Sequence, residues 1–180
     1  MNESGKELRF KITVIGDGKV GKTSLIKKFT QGTFDTNYVE TIGAQFSKYD
    51  KKIDGDNIRL LFWDIAGQDS FHFLRPSFFR ESSAAIIVYS LEKNELGSRS
   101  FEHITNWYED VNRFCGQIPI VIFANKVDLI EEDKLDHSQI QKIVQKHNFL
   151  DYFITSAKSG QGVYKAFNAI INKLYNDLIR

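Results

Sequence analysis

Short, continuously apolar runs alternate along the chain with longer segments whose apolar residues recur at helical spacing. Runs of the first kind predict buried strands, and they lie at residues 8–15, 84–89, 119–124 and 152–155. Segments of the second kind predict helices, and they lie at residues 24–31, 100–114, 138–146 and 163–178. This alternation predicts a mostly parallel sheet with helices on both of its faces.

Two further strands are predicted beside each other in sequence rather than on either side of a helix. Residues 45–53 and 57–64 carry strand patterns, and Asp54-Gly55-Asp56 between them is a typical hairpin turn. The first is polar, as suits an edge strand. We therefore predict an α/β fold with roughly six strands, one of them an antiparallel edge strand, and about five helices. Residues 8–180 would form a single domain after a flexible N-terminus at residues 1–7.

The ends of three helices carry recognisable signals. Gly32 is a natural stop for the first helix. Ser98 or Ser100 is a candidate cap for the helix at residues 100–114. The stretch from Ser138 to Gln141 resembles a capping box that opens the helix at residues 138–146.

A glycine-rich loop joins the first strand to the first helix. Its sequence, Gly16-Asp17-Gly18-Lys19-Val20-Gly21-Lys22-Thr23-Ser24, fits the phosphate-binding pattern G-x-x-x-x-G-K-[ST]. In such a loop the backbone N–H groups and the start of the helix surround phosphates. Lys22 would contact the β- and γ-phosphates and the Thr23 hydroxyl would hold Mg²⁺. An ordinary glycine turn is the alternative, and the flanking strand and helix argue against it.

A second motif follows the apolar strand of the hairpin. Asp64 ends this strand, and Gly67 and Gln68 come directly after it. A carboxylate beside a phosphate loop can hold Mg²⁺ through a water molecule, and Gly67 offers an N–H to the γ-phosphate. The Gln68 amide can accept a hydrogen bond from an attacking water while donating to a phosphate oxygen. A solvated turn is the alternative interpretation.

Two motifs after later strands predict that the base is guanine. Asp128, in Asn125-Lys126-Val127-Asp128, can accept both donors of a guanine edge, whereas adenine lacks that donor pair. Asn125 would tie its loop to neighbouring segments, and the Lys126 stem would lie over the ring. Ser156-Ala157-Lys158 would bring a backbone N–H to the guanine carbonyl oxygen.

Composition and charge narrow the function classes. The 180 residues carry a net charge of +1, which gives no support for a nucleic-acid or membrane-surface partner. A single cysteine, Cys115, rules out an internal disulfide and suits a reducing compartment. The N-terminus has no apolar signal core. We therefore expect a cytoplasmic protein.

Together these motifs resemble those of the Ras superfamily of small GTPases across nearly the whole chain. The resemblance implies that Thr41 contacts Mg²⁺ and the γ-phosphate, that Phe34 lies against the base, and that a side chain at Gly18 hinders hydrolysis. It also implies two switch segments, around Thr41 and after Asp64, which the γ-phosphate orders. The residues implied in catalysis are Gln68, Lys22 and Thr41.

Within the superfamily the chain is most similar to the Rab branch. Phe46, Trp63 and Phe79 match an aromatic triad through which Rab proteins meet effectors, although core packing is the alternative for these side chains. An exchange factor, a GTPase-activating protein and effectors would use Thr41, Phe46, Trp63 and residues 68–79. Ile65 and Asp69-Ser70 depart from the usual residues in or beside the second switch.

These observations predict a monomeric switch that binds GTP with Mg²⁺, hydrolyses it slowly and acts in membrane or vesicle traffic. The alternatives are a GTP-binding interaction module with little turnover and an ATP-using P-loop kinase or ATPase, which Asp128 argues against. The chain stops at Arg180 with no cysteine for prenylation. Either the tail was trimmed, in which case a lipid anchor would make the protein peripheral on a membrane, or the protein works without one.

Overall fold

The computed structural model describes residues 5–37, 39–67, 73 and 75–179. Its sheet has six strands in the order β2-β3-β1-β4-β5-β6, and only β2 runs antiparallel to its neighbour. The strands are β1 Glu7–Ile15, β2 Ala44–Ile53, β3 Asp56–Ile65, β4 Ala84–Ser90, β5 Ile120–Asn125 and β6 Tyr152–Thr155. This confirms the predicted α/β architecture.

Six α-helical segments in the described residues lie between the strands or, for the last of them, after β6. They are α1 Lys22–Gln31, α2 Arg75–Phe79, α3 Glu95–Glu102, α4 Ile104–Cys115, α5 Ser138–His147 and α6 Val163–Ile179. Gly32 ends α1 in the left-handed conformation, with φ 73°, and donates its N–H to the Lys28 carbonyl, as predicted. Within the described ranges, no helix combines the length and the apolar composition that crossing a membrane requires.

The hairpin between β2 and β3 is closed by the turn that the sequence predicted. Asp54 and Gly55 both have positive φ, 49° and 92°, and Ile53 pairs with Asp56 across them. Two successive residues of positive φ twist the backbone in the sense that an antiparallel pair requires. The hairpin therefore places β2 at the edge of the sheet and β3 inside it.

The sheet separates two hydrophobic cores. On one face, side chains of β1 and β3 pack against α1 and α6, where the rings of Phe29 and Phe167 stack with centroids 4.4 Å apart. On the other face, Ile15 and Ile87 pack against α4 and α5 through Trp107 and Ile140. Because both faces are covered, β4 and β5 are buried along their whole length.

The predicted caps of two helices are wrong. The helix predicted at residues 100–114 is preceded by α3, whose cap is Asn94: its side chain accepts from the Gly97 N–H at 3.0 Å. Ser100 instead lies buried, donating to the Gly97 carbonyl and accepting from the Ser90 N–H. The helix α5 begins at Ser138, as predicted, but Ser138 does not cap it: the N-cap residue is His137, whose side chain makes no capping bond, and Asp136 Oδ1 accepts from the Ser138 N–H at 2.8 Å.

Candidate nucleotide-binding site

A cleft of about 500 Å³ lies at the carboxyl ends of the parallel strands. Fourteen of the predicted site residues border it: Gly18, Lys19, Gly21, Lys22, Thr23, Ser24, Phe34, Thr41, Gly67, Asn125, Lys126, Asp128, Ala157 and Lys158. Three other predicted site residues, Val20, Asp64 and Ser156, are buried and do not line the cleft. The predicted Gln68 lies outside the described residues, as do Asp69 and Ser70 of the predicted second switch.

The glycine-rich loop adopts a conformation that requires glycine at two points. Gly16 and Gly21 have φ of 137° and 102°, which L side chains rarely adopt. A Cβ on Gly21 would lie 2.3 Å from Asn125 Nδ2, so the glycine-rich loop and the segment after β5 approach each other closely here. The backbone of the glycine-rich loop and the buried Asn125 amide thus connect the two ends of the cleft.

Lys22 is buried beneath the loop. Its Nζ donates to the carbonyl oxygens of Gly16 and Asp17, both at 2.8 Å. Burial lowers the pKa of Lys22 to about 8, although the carboxylates of Asp64 and Asp17 oppose the shift. The nearby carboxylates therefore only partly offset the cost of burying the charged Lys22 ammonium, and a bound anion would stabilise that charge further.

Because phosphate would supply that compensation, nucleotide binding is expected to raise the Lys22 pKa and take up a proton near pH 8. Affinity for GDP should be flat below about pH 7 and fall as pH rises past 8, because a neutral Lys22 must first be protonated. Calorimetry in two buffers of different ionisation enthalpy measures the uptake. At pH 8, nucleotide binding should take up about half a proton, whereas at pH 6.5 Lys22 should take up none. If binding took up no proton at pH 8, the assignment of Lys22 as a phosphate contact would be wrong.

Three oxygen-bearing side chains meet beside Lys22. The hydroxyl of Thr23 donates to Asp64 Oδ2, and the Thr41 hydroxyl lies 3.1 Å from Thr23 Oγ1 and 3.4 Å from the same carboxylate oxygen. Asp64 Oδ1 is buried with no hydrogen-bond partner among the described residues. Burial raises the Asp64 pKa, and Lys22 opposes it. A hydroxyl pair and an unsatisfied carboxylate oxygen form a donor set that suits Mg²⁺, which prefers oxygen and retains waters.

Asn125 and Asp128 are held rigidly at the other end of the cleft. Asn125 is buried, donates to the Val20 carbonyl at 2.9 Å, and accepts from the Ala157 N–H at 3.2 Å. Asp128 Oδ1 accepts from the Ser156 hydroxyl at 2.6 Å. These bonds connect the loops after β5 and β6 to the phosphate loop and fix the direction in which the Asp128 carboxylate faces.

Lys126 has a backbone conformation that is rare for a side chain other than glycine, with φ 71°. Its Nζ pairs with Glu92 Oε2 at 2.5 Å. This ion pair fixes the head group at the side of the cleft, so the methylene stem is the part of Lys126 that remains to line it.

The segment between α1 and β2 forms one wall of the cleft. Thr36, Asn37, Val39 and Glu40 border the cleft together with the predicted Phe34 and Thr41. An ion pair between Lys27 of α1 and Asp35, 2.7 Å long, anchors the start of the segment. Sequence reasoning had not assigned Lys27 to the cleft, although its position four residues after Thr23 places both on one face of α1.

Asp17 is a buried site residue that sequence reasoning also missed. Trp107 Nε1 donates to its Oδ1 at 2.9 Å, and His103 Nδ1 lies 2.9 Å from its Oδ2. Arg99 Nε lies 3.5 Å from the same oxygen. The phosphate loop is thereby attached to α3 and α4, and His103 takes part in this attachment rather than facing solvent alone.

A second cavity of about 730 Å³ lies between the phosphate loop and the helices α3 and α4. Its wall shares Gly18, Lys19, Glu40 and Gly67 with the nucleotide cleft. Gly67 approaches the loop so closely that a Cβ would lie 2.3 Å from the Asp17 carbonyl carbon. The two cavities therefore meet where the predicted γ-phosphate contact Gly67 lies against the loop.

The predicted surface triad of aromatic side chains differs from the structure at one residue. Phe46 is 65% exposed, and its ring centroid lies 6.1 Å from that of Trp63, which in turn lies 5.9 Å from Phe78. Phe79 is fully buried and packs against Phe114. The assignment of Phe79 to the surface triad is therefore wrong. Phe78 takes that place because adjacent residues of the short helix α2 face different directions.

Comparisons with known proteins agree with this geometry. The sequence profile of the Ras family matches residues 11–176. The chain is 34% identical over 177 residues to the Ras-related protein Rab-9A of Homo sapiens, covering 95% of this chain and 85% of that protein. It is 34% identical over 166 residues to Ras-related protein Rab-18-B of Danio rerio, covering 91% of this chain and 78% of that protein. The chain belongs to the Ras family and is a Rab-like small GTPase.

Proposed function

We propose that this protein is a molecular switch that binds GTP together with Mg²⁺, hydrolyses GTP to GDP and phosphate, and regulates membrane or vesicle traffic. The observation that carries the proposal is the contact of Thr41 with Thr23 and Asp64. Thr41 belongs to the segment that walls the cleft, whereas Thr23 and Asp64 belong to α1 and the sheet. A ligand at this contact would therefore control whether the segment stays on the cleft.

Each end of the nucleotide has its own set of residues. The backbone amides of residues 18–24 and the Lys22 ammonium would hold the phosphates and stabilise charge that develops on them. Asp128 would accept the two guanine donors, Phe34 and the Lys126 stem would contact the ring faces, and Ala157 would offer its N–H to the guanine carbonyl. Lys158 follows directly and lies exposed at the same end.

Thr23, Thr41 and, through a water, Asp64 would hold Mg²⁺. When bound, the ion would supply positive charge that neutralises the phosphate oxygens. The unsatisfied Asp64 Oδ1 is the observation that supports this assignment, because a buried carboxylate oxygen without a partner is otherwise costly. Gly67 would donate its N–H to the γ-phosphate.

No described arginine borders the nucleotide cleft. Arg99 and Arg75 border the second cavity instead, and Arg75 is already paired with Asp110 at 2.8 Å and lies over the Trp107 ring. We therefore propose that a GTPase-activating partner supplies an arginine. In Ras-type GTPases such an arginine accelerates hydrolysis by about 10³–10⁵.

A Gln68→Leu variant is expected to bind GTP normally and to hydrolyse it about 10–100 times more slowly, because leucine cannot orient the attacking water. Single-turnover hydrolysis with Mg²⁺ measures this change. Gln45→Leu is the matched control, since Gln45 also borders the cleft but from β2, and its hydrolysis should equal that of the wild type. Unchanged hydrolysis in Gln68→Leu would refute the role assigned to Gln68.

The proposed function itself is tested by the nucleotide that purified protein releases on denaturation and by the fate of added GTP over hours with Mg²⁺. GDP in the released pool and slow conversion of GTP are the expected results. Retained GTP that never turns over, even with a GTPase-activating partner, would replace the switch by a static GTP-binding module. An adenine nucleotide would overturn the guanine assignment.

The surface formed by Phe46, Trp63 and Phe78 is the proposed site for effectors. Its rings border the first switch through β2 and the second through α2, so a partner bound there contacts both segments. Ile42, which is 79% exposed, extends the same apolar surface along the chain toward Thr41.

A further inference from the structure

Lys19 has an unusual backbone conformation for its residue type. Its φ is 67°, in the left-handed region that glycine adopts readily and that is strained for a residue with a side chain. The loop must turn in this way to surround a phosphate, so glycine would be the residue of least strain here. A lysine in this place needs a compensating role.

The fold does not provide that role. The Lys19 side chain is exposed, and it forms no hydrogen bond or ion pair with any residue in the described part of the chain. Because ordering a lysine side chain costs much rotamer freedom, only a contact made by its ammonium could make the side chain stabilising, and the fold provides no such contact. The strain at Lys19 is therefore not offset within the protein alone.

The other lysines that border the nucleotide cleft differ from Lys19. Lys22 is bound to two carbonyl oxygens, Lys27 is paired with Asp35, and Lys126 is paired with Glu92. Lys158 is also exposed without a described partner, but it lies at the base end, next to Ala157. Among the described lysines, Lys19 alone is both unpaired and at the phosphate end of the cleft.

We propose that the Lys19 ammonium is a second cationic contact to the phosphate chain, which strengthens nucleotide binding and favours the triphosphate over the diphosphate. This inference rests on the proposed function. Lys19 borders both cavities at the junction that Gly18 and Gly67 also form, which is where the terminal phosphate would lie. GTP carries one more negative charge than GDP at neutral pH, so an added cation there stabilises the triphosphate complex more.

The experiment compares release of a fluorescent GDP and of a fluorescent, non-hydrolysable GTP analogue from wild type and Lys19→Gln, with Mg²⁺ and an excess of unlabelled nucleotide. Gln keeps the length of the stem and removes the charge. Release of the GTP analogue is expected to be about tenfold faster in the variant, and release of GDP about threefold faster. Raising ionic strength should reduce the difference between variant and wild type.

Two variants serve as controls. Lys19→Arg keeps the charge and should release both nucleotides as the wild type does. Lys158→Gln removes the other unpaired lysine of the cleft, and it should change the release of GDP and of the GTP analogue by the same factor.

Changes of less than twofold in Lys19→Gln, equal changes for the two nucleotides, or loss of tight binding in Lys19→Arg would overturn the inference. Those outcomes leave the proposed function intact, because they require a wild type that binds guanine nucleotide. A wild type that binds neither nucleotide would refute the proposed function itself.

Discussion

A Gly16→Ala variant is expected to lose about 2–4 kcal/mol of folding stability, combining backbone strain with overpacking. For a chain of this size the loss corresponds to a melting temperature lower by roughly 5–15 °C. Thermal unfolding followed by circular dichroism measures the change. This is the largest effect on stability that we expect from the addition of one methyl group to the phosphate loop.

The reason lies in the contact between the loop and β4. A Cβ on Gly16 would lie 2.2 Å from the Val88 carbonyl oxygen, and β4 is buried along its whole length. Backbone in the middle of a sheet cannot move aside without breaking its hydrogen bonds to β1 and β5. The φ of Gly16, 137°, adds strain for any L side chain.

Gly18→Ala is the matched control, because the same methyl group there would meet no atom within 4 Å. Its melting temperature should lie within about 2 °C of the wild type, whereas its hydrolysis of GTP should be slower, because the methyl group would project toward the proposed position of the terminal phosphate. Equal melting temperatures for the two variants would contradict the close approach of Gly16 to β4.

The strands, and the one that runs antiparallel, could be predicted from the sequence because their signals are local. A fully buried strand such as β4 leaves a continuous apolar run, and a hairpin turn needs residues that tolerate positive φ, as Asp54 and Gly55 do. These signals are local. The phosphate-loop pattern is also local, since its glycines, lysine and threonine lie within one short stretch of the sequence.

The features that the sequence did not predict depend on contacts between distant residues. Asp17 is buried because Trp107, ninety positions later in the chain, donates to its carboxylate. Phe78 and Phe79 are adjacent and chemically identical, so only the packing of Phe79 against Phe114 decides which one faces outward. Asn94 was missed as a cap because Ser98 and Ser100 carry the same capping signal.

The residue expected to have the largest effect on nucleotide choice is Asp128. Its carboxylate, which accepts from the Ser156 hydroxyl at 2.6 Å, would offer two acceptors to the two donors of guanine in the proposed site. An asparagine there presents one acceptor and one donor, so one guanine donor would face another donor. Xanthine carries a carbonyl in place of the guanine amine, and its edge matches the amide.

Asp128→Asn is therefore expected to weaken GDP binding by about 100–1000-fold and to bind xanthosine diphosphate more tightly than GDP. Competition against a fluorescent nucleotide measures both affinities. Asp133→Asn is the matched control, because Asp133 is an exposed carboxylate a few residues along the same loop, and its affinities should not change. An Asp128→Asn variant that still prefers GDP would refute the base assignment.

Ser156→Ala separates the position of the carboxylate from its chemistry. Without the hydroxyl, Asp128 keeps both acceptors but loses the bond that directs it, and the Ser159 N–H loses its acceptor as well. GDP affinity should therefore fall only about 3–10-fold, as expected when the carboxylate loses one hydrogen bond. The preference for guanine over xanthine should stay that of the wild type, because both acceptors remain. If the preference changed as well, recognition would depend on Ser156 itself, and the carboxylate alone would not account for the choice of base.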